Sequence, residues 1–196
     1  MFLKRDDPHL LVVGMTGVKM GDRLVQIGCA QGGRLAAVAG KVGLSGRAVL
    51  VAPDDASAAR GRKGAEAGGV LVEIEIAPPA RLPLDADDFD VAIIDDTGGL
   101  FAAMHADDRA AAIREVARIL RPAGRALLIG AVPPGRIGAL LTRAQSRPPF
   151  AASNDAKAAL QAAGFKAVRT LAEREGLVFV EGIKSRGVPS ALNPRP

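Results

Sequence analysis

Three closely spaced glycines are the most suggestive chemical feature of the sequence. Gly28, Gly32 and Gly33 follow the short apolar run 24–27 and precede the segment 34–39, which has the composition of a helix. A strand, a glycine-rich loop and a helix form the layout of a nucleotide-binding crossover. Glycine lets a ligand lie close to the backbone, and the helix N-terminus presents free N–H groups. The loop predicts a site for an anionic or polar ligand, and a tight turn without a ligand is the alternative.

Two adjacent carboxylates are the next candidates for chemistry. Asp95 and Asp96 end the apolar run 89–94. A carboxylate at such a position can bind Mg²⁺ if two more oxygen ligands lie nearby, or it can cap a helix. The sequence identifies no further ligands, so we predict no metal site. His105 follows in the same loop and is either a general base or an ordinary surface residue, so no catalytic residue is assigned.

Composition narrows the classes of partner. The sequence has no Tyr or Trp, which argues against stacking on nucleobases as the main binding device. Its net charge of +5 comes from scattered residues, so nucleic-acid binding is not indicated. Cys29 is the single cysteine, which excludes an internal disulfide and suits a reducing compartment. We find no membrane-spanning run and no signal-peptide pattern, and we therefore expect a cytoplasmic protein.

Apolar runs and helical segments alternate along the chain. Strands are expected at 24–27, 47–51, 70–76, 89–94, 126–129, 167–171 and 177–183, and helices at 34–39, 56–67, 107–120 and 153–164. This alternation predicts an α/β fold with a mostly parallel sheet, in which ligands bind beyond the carboxyl ends of the strands. We expect one domain at 1–184 and a loose Pro-rich tail at 185–196. The segment 130–150, with a short helix near 139–143, is either a lid or a plain connection.

Three passages resemble the class I S-adenosylmethionine-dependent methyltransferase family, and the resemblance spans about residues 21–184. The first is the strand and loop from Gly21 to Gly32. The second is the approach to the fourth strand, Leu82-Pro83 with Asp88 to Ile93. The third and most specific runs from Glu115 to Ile129 and includes the turn Leu120-Arg121-Pro122-Ala123-Gly124, in which Ala123 replaces the usual first glycine.

The resemblance implies a Rossmann-like fold, doubly wound, with a mostly parallel seven-stranded sheet and a C-terminal antiparallel hairpin. The first strand would lie in the middle of this sheet. The implied cofactor is S-adenosylmethionine. The positions that would face it, on the family's pattern, are Gln26, Gly28, Ala30, Gly32, Ala52, Asp54 and Asp95.

Several of these positions depart from the family's pattern. The family has an acid where Gln26 stands, a glycine where Ala30 stands, and a ribose-binding acid where Ala52 stands. The position that would bind the adenine amine falls on Ala77 or Pro78. A missing charged acceptor costs roughly 1–3 kcal/mol of binding free energy. Weakened or lost cofactor binding is therefore expected beside the intact glycine loop.

Three functions remain open on the sequence alone. The first is a methyltransferase with an unidentified small or medium substrate. The second is a catalytically inactive methyltransferase fold that serves as a binding or scaffold subunit, within a complex or a homo-oligomer. The third is a nicotinamide-dependent reductase that uses the spacing Gly28-x-Ala30-x-x-Gly33.

Overall fold

The computed structural model describes residues 8–132 and 150–186, which form a central seven-stranded sheet between layers of helices. Its strands are β1 (Arg23–Ile27), β2 (Arg47–Ala52), β3 (Glu73–Ile76), β4 (Phe89–Asp96), β5 (Leu120–Ala131), β6 (Phe165–Arg174) and β7 (Leu177–Lys184). Its helices are α1 (Leu10–Thr16), α2 (Gly32–Ala39), α3 (Asp55–Gly68), α4 (Leu100–Ala103), α5 (Ala106–Ile119) and α6 (Asn154–Ala162), with a 3₁₀ turn at Phe150–Ala152.

The strand order is β3-β2-β1-β4-β5-β7-β6. β1 occupies the middle, with β2 and β4 parallel on its two sides, while β7 runs antiparallel to both β5 and β6. The fold class and the central position of the first strand are thus confirmed. The chain leaves β1 toward β2 on one side and returns to β4 on the other, so the topological switch point lies between β1 and β4.

The central strands are buried because both faces of the sheet are covered. On one face, apolar side chains of β1, β4 and β5 pack against α5 and α6. On the other face they pack against α1 and α2. Their near-continuous Val, Leu and Ile runs are typical of parallel strands covered on both faces. Across the described ranges, every helix is too short or too polar to cross a membrane.

The third strand is shorter than predicted. It begins at Glu73 and not at Val70. The Val70 N–H donates to the Ala65 carbonyl at 3.0 Å, after Gly69 has adopted a left-handed conformation (φ +61°). These are the bonds that end a helix, so the start of the apolar run terminates α3 and does not pair with β2. The strand lies at one edge of the sheet, beside β2.

The turn within the third family-like passage explains its glycine preference. Ala123 has φ +65°, a left-handed conformation that costs an alanine about 1 kcal/mol. The next residue, Gly124, has no room for a side chain, since a Cβ there would lie 2.8 Å from the Arg121 carbonyl oxygen. Glycine is thus favoured at the first position for its conformation and required at the second for space.

Three predicted features lie largely or wholly outside the described residues. They are the short helix near 139–143, the possible lid at 130–150 and the tail at 185–196, since residues 133–149 and 187–196 are not described. The division into one domain at 1–184 and a tail stays a prediction.

Candidate cofactor site

The candidate site is the crevice between the loops that follow β1 and β4. Ligands of open α/β sheets bind beyond the carboxyl ends of the strands at the switch point. In this protein that place lies between residues 28–31, after β1, and residues 97–99, after β4. The two loops touch one another here, so the contacts between them determine what the crevice can hold.

Gly28 forms the floor of the crevice. Its φ of +79° is a left-handed conformation that favours glycine, and its N–H donates to the Val51 carbonyl at 2.9 Å. A Cβ built on Gly28 would lie 2.8 Å from Cδ2 of Leu100 and 3.1 Å from the Asp95 carbonyl oxygen. The surface that glycine leaves free for a ligand is therefore covered by the side chain of Leu100.

Gln26 supports the loop from within the sheet. It is buried, and its Nε2 donates to the Gly28 carbonyl at 2.9 Å. A carboxylate at this position has no hydrogen to donate to that carbonyl. The amide therefore orders the glycine loop through a bond of its own, while it brings no charge to the crevice.

Asp95 joins the two loops. Its Oδ2 accepts the Ala30 N–H at 3.0 Å, and its Oδ1 accepts the hydroxyl and the N–H of Thr97 at 2.6 and 3.2 Å. Nη1 of Arg34 lies 3.3 Å from the same Oδ1 and donates to the Thr97 hydroxyl oxygen at 2.7 Å. The carboxylate and the guanidinium are both buried, and Nε of Arg34 has no hydrogen-bond partner within residues 8–132 and 150–186. Asp95 is thus engaged by the protein's own donors.

Asp96 points into different surroundings. Its carboxylate accepts the N–H of Phe101 at 2.7 Å and that of Ala102 at 3.4 Å, which holds the start of α4. Its second oxygen, Oδ2, is buried and has no hydrogen-bond partner among the described residues. Burial raises the pKa of Asp96 to about 6, although the two backbone donors act in the opposite direction. The helix-capping role considered for this acidic pair is the one that Asp96 has.

The ends of the neighbouring strands present few polar side chains. Ala52 is fully buried, and its carbonyl accepts the Ala77 N–H at 3.0 Å. Asp54 is the N-cap of α3 and accepts the Ser57 N–H at 2.7 Å. Neither Ala52 nor Ala77 has a side-chain acceptor, and the carboxylate of Asp54 is directed to its own helix.

The other two glycines of the loop serve contacts between helices. A Cβ on Gly32 would overlap the carbonyl oxygen of Arg60, and one on Gly64 would overlap the backbone of Gly32. These two glycines therefore allow α2 and α3 to touch through their backbones. A Cβ on Gly33 would lie 2.9 Å from Nε2 of His9, and both residues line a groove of about 650 Å³ between α2 and α3. The structure thus gives Gly32 and Gly33 structural neighbours away from the crevice.

The single cysteine and the candidate base His105 have ordinary surroundings. Cys29 is buried beside Leu35 and Leu50, and burial, followed by the nearby charge of Asp95, raises the pKa of its thiol to about 11. It is therefore protonated at neutral pH and is a packed side chain. His105 is exposed at the N-cap of α5. Within residues 8–132 and 150–186, no cluster of His, Cys, Asp or Glu suits a metal ion.

Sequence reasoning missed Arg34, Thr97 and Leu100 as residues of this site. The sequence did contain a signal for Arg34, because it is a basic residue at the start of an otherwise apolar helical segment. An arginine that is buried in such a segment is expected to have an acidic partner. Leu100 carried no such signal, because a leucine after two glycines fits any loop.

Comparison with known proteins identifies the family. The family model for the methyltransferase domain matches residues 24–124, just over half of the chain. The chain belongs to this methyltransferase family. The match includes the glycine loop, β4 and the first residues of β5, so it contains the second passage of the resemblance and much of the other two. The nicotinamide-dependent reductase, which rested on the glycine spacing alone, is set aside.

Similar proteins include methyltransferases of several kinds. A nocamycin O-methyltransferase of Saccharothrix syringae is 32% identical over 179 residues, covering 78% of this chain and 62% of that protein. A ubiquinone/menaquinone biosynthesis C-methyltransferase of Idiomarina loihiensis is 29% identical over 119 residues, covering 60% and 45%. The chain thus spans about half the length of the curated relatives it matches. An S-adenosylmethionine-dependent methyltransferase from Aquifex aeolicus shares the fold, with a TM-score of 0.68 at 17% identity over 91% of this chain and 94% of that one.

Proposed function

We propose that this chain is an S-adenosylmethionine-dependent methyltransferase that acts on a small molecule. The observation that carries the proposal is the family match over residues 24–124, with Gly28 at the switch point between β1 and β4. When bound, this cofactor supplies an electrophilic methyl group. Methyl transfer depends mainly on the alignment of two groups, so a dedicated base is not required. A reducing, cytoplasmic location suits a chain whose one cysteine is a buried thiol.

The cofactor-facing positions remain a proposal. Gly28 lets the cofactor lie close to the backbone, and Gln26 holds that backbone in place by donating to the Gly28 carbonyl. Asp95 orients the next peptide through the Ala30 N–H. Asp54 reaches the ribose once the crevice opens, and Ala30 and Ala52 line the crevice without polar contacts. In the conformation described, Leu100 covers Gly28 and the carboxylate of Asp54 caps α3, so neither side chain is placed to bind an adenosyl ligand.

A second candidate is a methyltransferase fold that acts as a binding or scaffold subunit without catalysis. The specific observation in its favour concerns the three positions where the family's pattern has an acid that would bind the cofactor. These positions, at the ends of β1, β2 and β3, are occupied by residues without a carboxylate: Gln26, Ala52 and Ala77. Each missing charged acceptor costs roughly 1–3 kcal/mol, so two together weaken binding by roughly 30-fold to 30,000-fold. The expected partner is then another protein or a further copy of the chain.

Calorimetric titration with S-adenosylmethionine separates the two. A dissociation constant below about 100 μM supports the methyltransferase, and absence of binding at millimolar ligand supports the scaffold. Asp54→Asn keeps an oxygen to cap α3 but removes the charge, and it should weaken binding about tenfold if Asp54 reaches the ribose. Asp55→Asn, one residue away in the first turn of α3, is the matched control and should bind like the unmodified protein.

A further inference from the structure

The crevice at the switch point is closed by the protein's own residues. Besides the contact of Leu100 with Gly28, a Cβ on Gly98 would lie 3.3 Å from the Ala30 methyl group. The Ala30 N–H is already bound to Asp95. A ligand that lies between the ends of β1 and β4 must therefore displace these contacts before it reaches the glycine floor.

The segment that carries Leu100 is held in place by polar bonds on both sides. On one side the Thr97 hydroxyl links Arg34 to Asp95. On the other side the Gly99 N–H donates to the Asp96 carbonyl at 2.9 Å, and the Asp96 carboxylate caps α4. These bonds fix both ends of the loop, so the position of Leu100 is built into the fold.

Leu100 lies closer to the surface than the residue that follows it. It is partly exposed, and it packs at the margin of the main core, whereas the next residue, Phe101, is fully buried. The two residues therefore make different contacts. Phe101 anchors α4 in the core, and Leu100 lies over Gly28.

We propose that Leu100 determines the affinity of this crevice, because its side chain competes with the ligand for the surface of Gly28. The inference rests on the proposed function, since it takes S-adenosylmethionine and its demethylated product as the ligands. Bound ligand must displace the leucine, and the contacts that the leucine loses reduce the observed affinity. Leu100→Ala removes this competition and should tighten binding about tenfold or more.

The test is calorimetric titration of three proteins with S-adenosylhomocysteine, which binds without reacting. They are the unmodified protein, Leu100→Ala and Leu84→Ala. Leu84 is a matched control, because it is also a partly buried leucine at the margin of the main core, and it lies before β4, away from the crevice. The expected result is a tenfold lower dissociation constant for Leu100→Ala and an unchanged one for Leu84→Ala. Equal or weaker binding by a folded Leu100→Ala variant overturns the inference, while binding by the unmodified protein keeps the proposed function.

A second readout needs no ligand. The Ala30 amide is held by Asp95 within the closed crevice. Leu100→Ala should therefore speed hydrogen exchange at Ala30 at least tenfold relative to the unmodified protein, whereas Leu84→Ala should not. Faster exchange without S-adenosylhomocysteine binding to any of the three proteins supports closure by Leu100 and rejects the proposed function. Unchanged exchange overturns the inference, whatever the titrations show.

Discussion

Replacing Asp96 by asparagine is expected to raise the free energy of unfolding at neutral pH by about 1–2 kcal/mol. Burial raises the pKa of Asp96 from 3.8 to about 6, and Oδ2 has no hydrogen-bond partner in the part of the chain that the structure describes. A shift of about two pKa units corresponds to about 3 kcal/mol of stability lost when the carboxylate ionises. Asparagine keeps an oxygen that accepts the Phe101 and Ala102 N–H groups, but these bonds are weaker because the oxygen is uncharged. The weaker bonds reduce the expected increase in the free energy of unfolding by about 1 kcal/mol.

The direction of the pH dependence follows from the two pKa values. Because the folded-state pKa of Asp96 lies above its unfolded value, the folded protein holds this proton more tightly between about pH 4 and pH 6. The free energy of unfolding of the unmodified protein therefore falls as pH rises through this window. Asparagine does not titrate, so the variant lacks this contribution. Its advantage should be absent below about pH 4 and complete above about pH 7.

Urea unfolding followed by circular dichroism measures the effect, at about pH 4 and about pH 7.5. The exposed residue Asp85 supplies the control, since Asp85→Asn removes an equal charge at the surface. The reasoning is refuted if Asp96→Asn is no more stable than the unmodified protein at the higher pH. It is also refuted if its advantage is the same at both pH values.

Three further predictions concern contacts outside the crevice or at its border. Gly32→Ala should lower the free energy of unfolding by roughly 1–3 kcal/mol, because its Cβ overlaps the Arg60 carbonyl, and thermal unfolding measures this. Gly33→Ala should cost less than Gly32→Ala in the same assay, since its Cβ meets a side-chain atom of His9 and not backbone; equal losses at the two positions would contradict the assigned helix contact. Glu181→Gln should lower the free energy of unfolding by about 1–3 kcal/mol, because it removes the charge of a buried carboxylate that binds two arginines. Urea unfolding measures this, and an unchanged midpoint would show that these two ion pairs do not stabilise the fold.

The fold could be predicted from the sequence because its signals are local. The apolar runs that became β1, β2 and β4 are each followed by a loop or helix cap, and their pairing follows from the topology of parallel sheets. The error at Val70 arose because its N–H ends a helix, although its composition suits a strand. The same apolar residues suit the end of a helix and the start of a strand. The partner of the Val70 N–H, which is the Ala65 carbonyl, distinguishes the two.

The site was harder to predict because its decisive contacts join distant segments. A glycine such as Gly32 suits a ligand-binding loop and a close contact between helices equally well. Its contact with Gly64 of α3 is seen only in the folded protein. Leu100 covers Gly28 across more than seventy positions of sequence. Gln26 looked like the loss of an acid, yet its amide makes a bond to Gly28 that a carboxylate cannot make. Such roles become visible when the loops are placed side by side.

Leu100 lies on Gly28 and closes the crevice between β1 and β4. Nuclear Overhauser spectroscopy on protein with labelled leucine methyl groups tests this contact directly. We expect a strong cross-peak between a δ-methyl group of Leu100 and the α protons of Gly28, and we expect it to be lost when Leu100 is replaced by alanine. A well-resolved Leu100 methyl group with no cross-peak to Gly28 would contradict this contact.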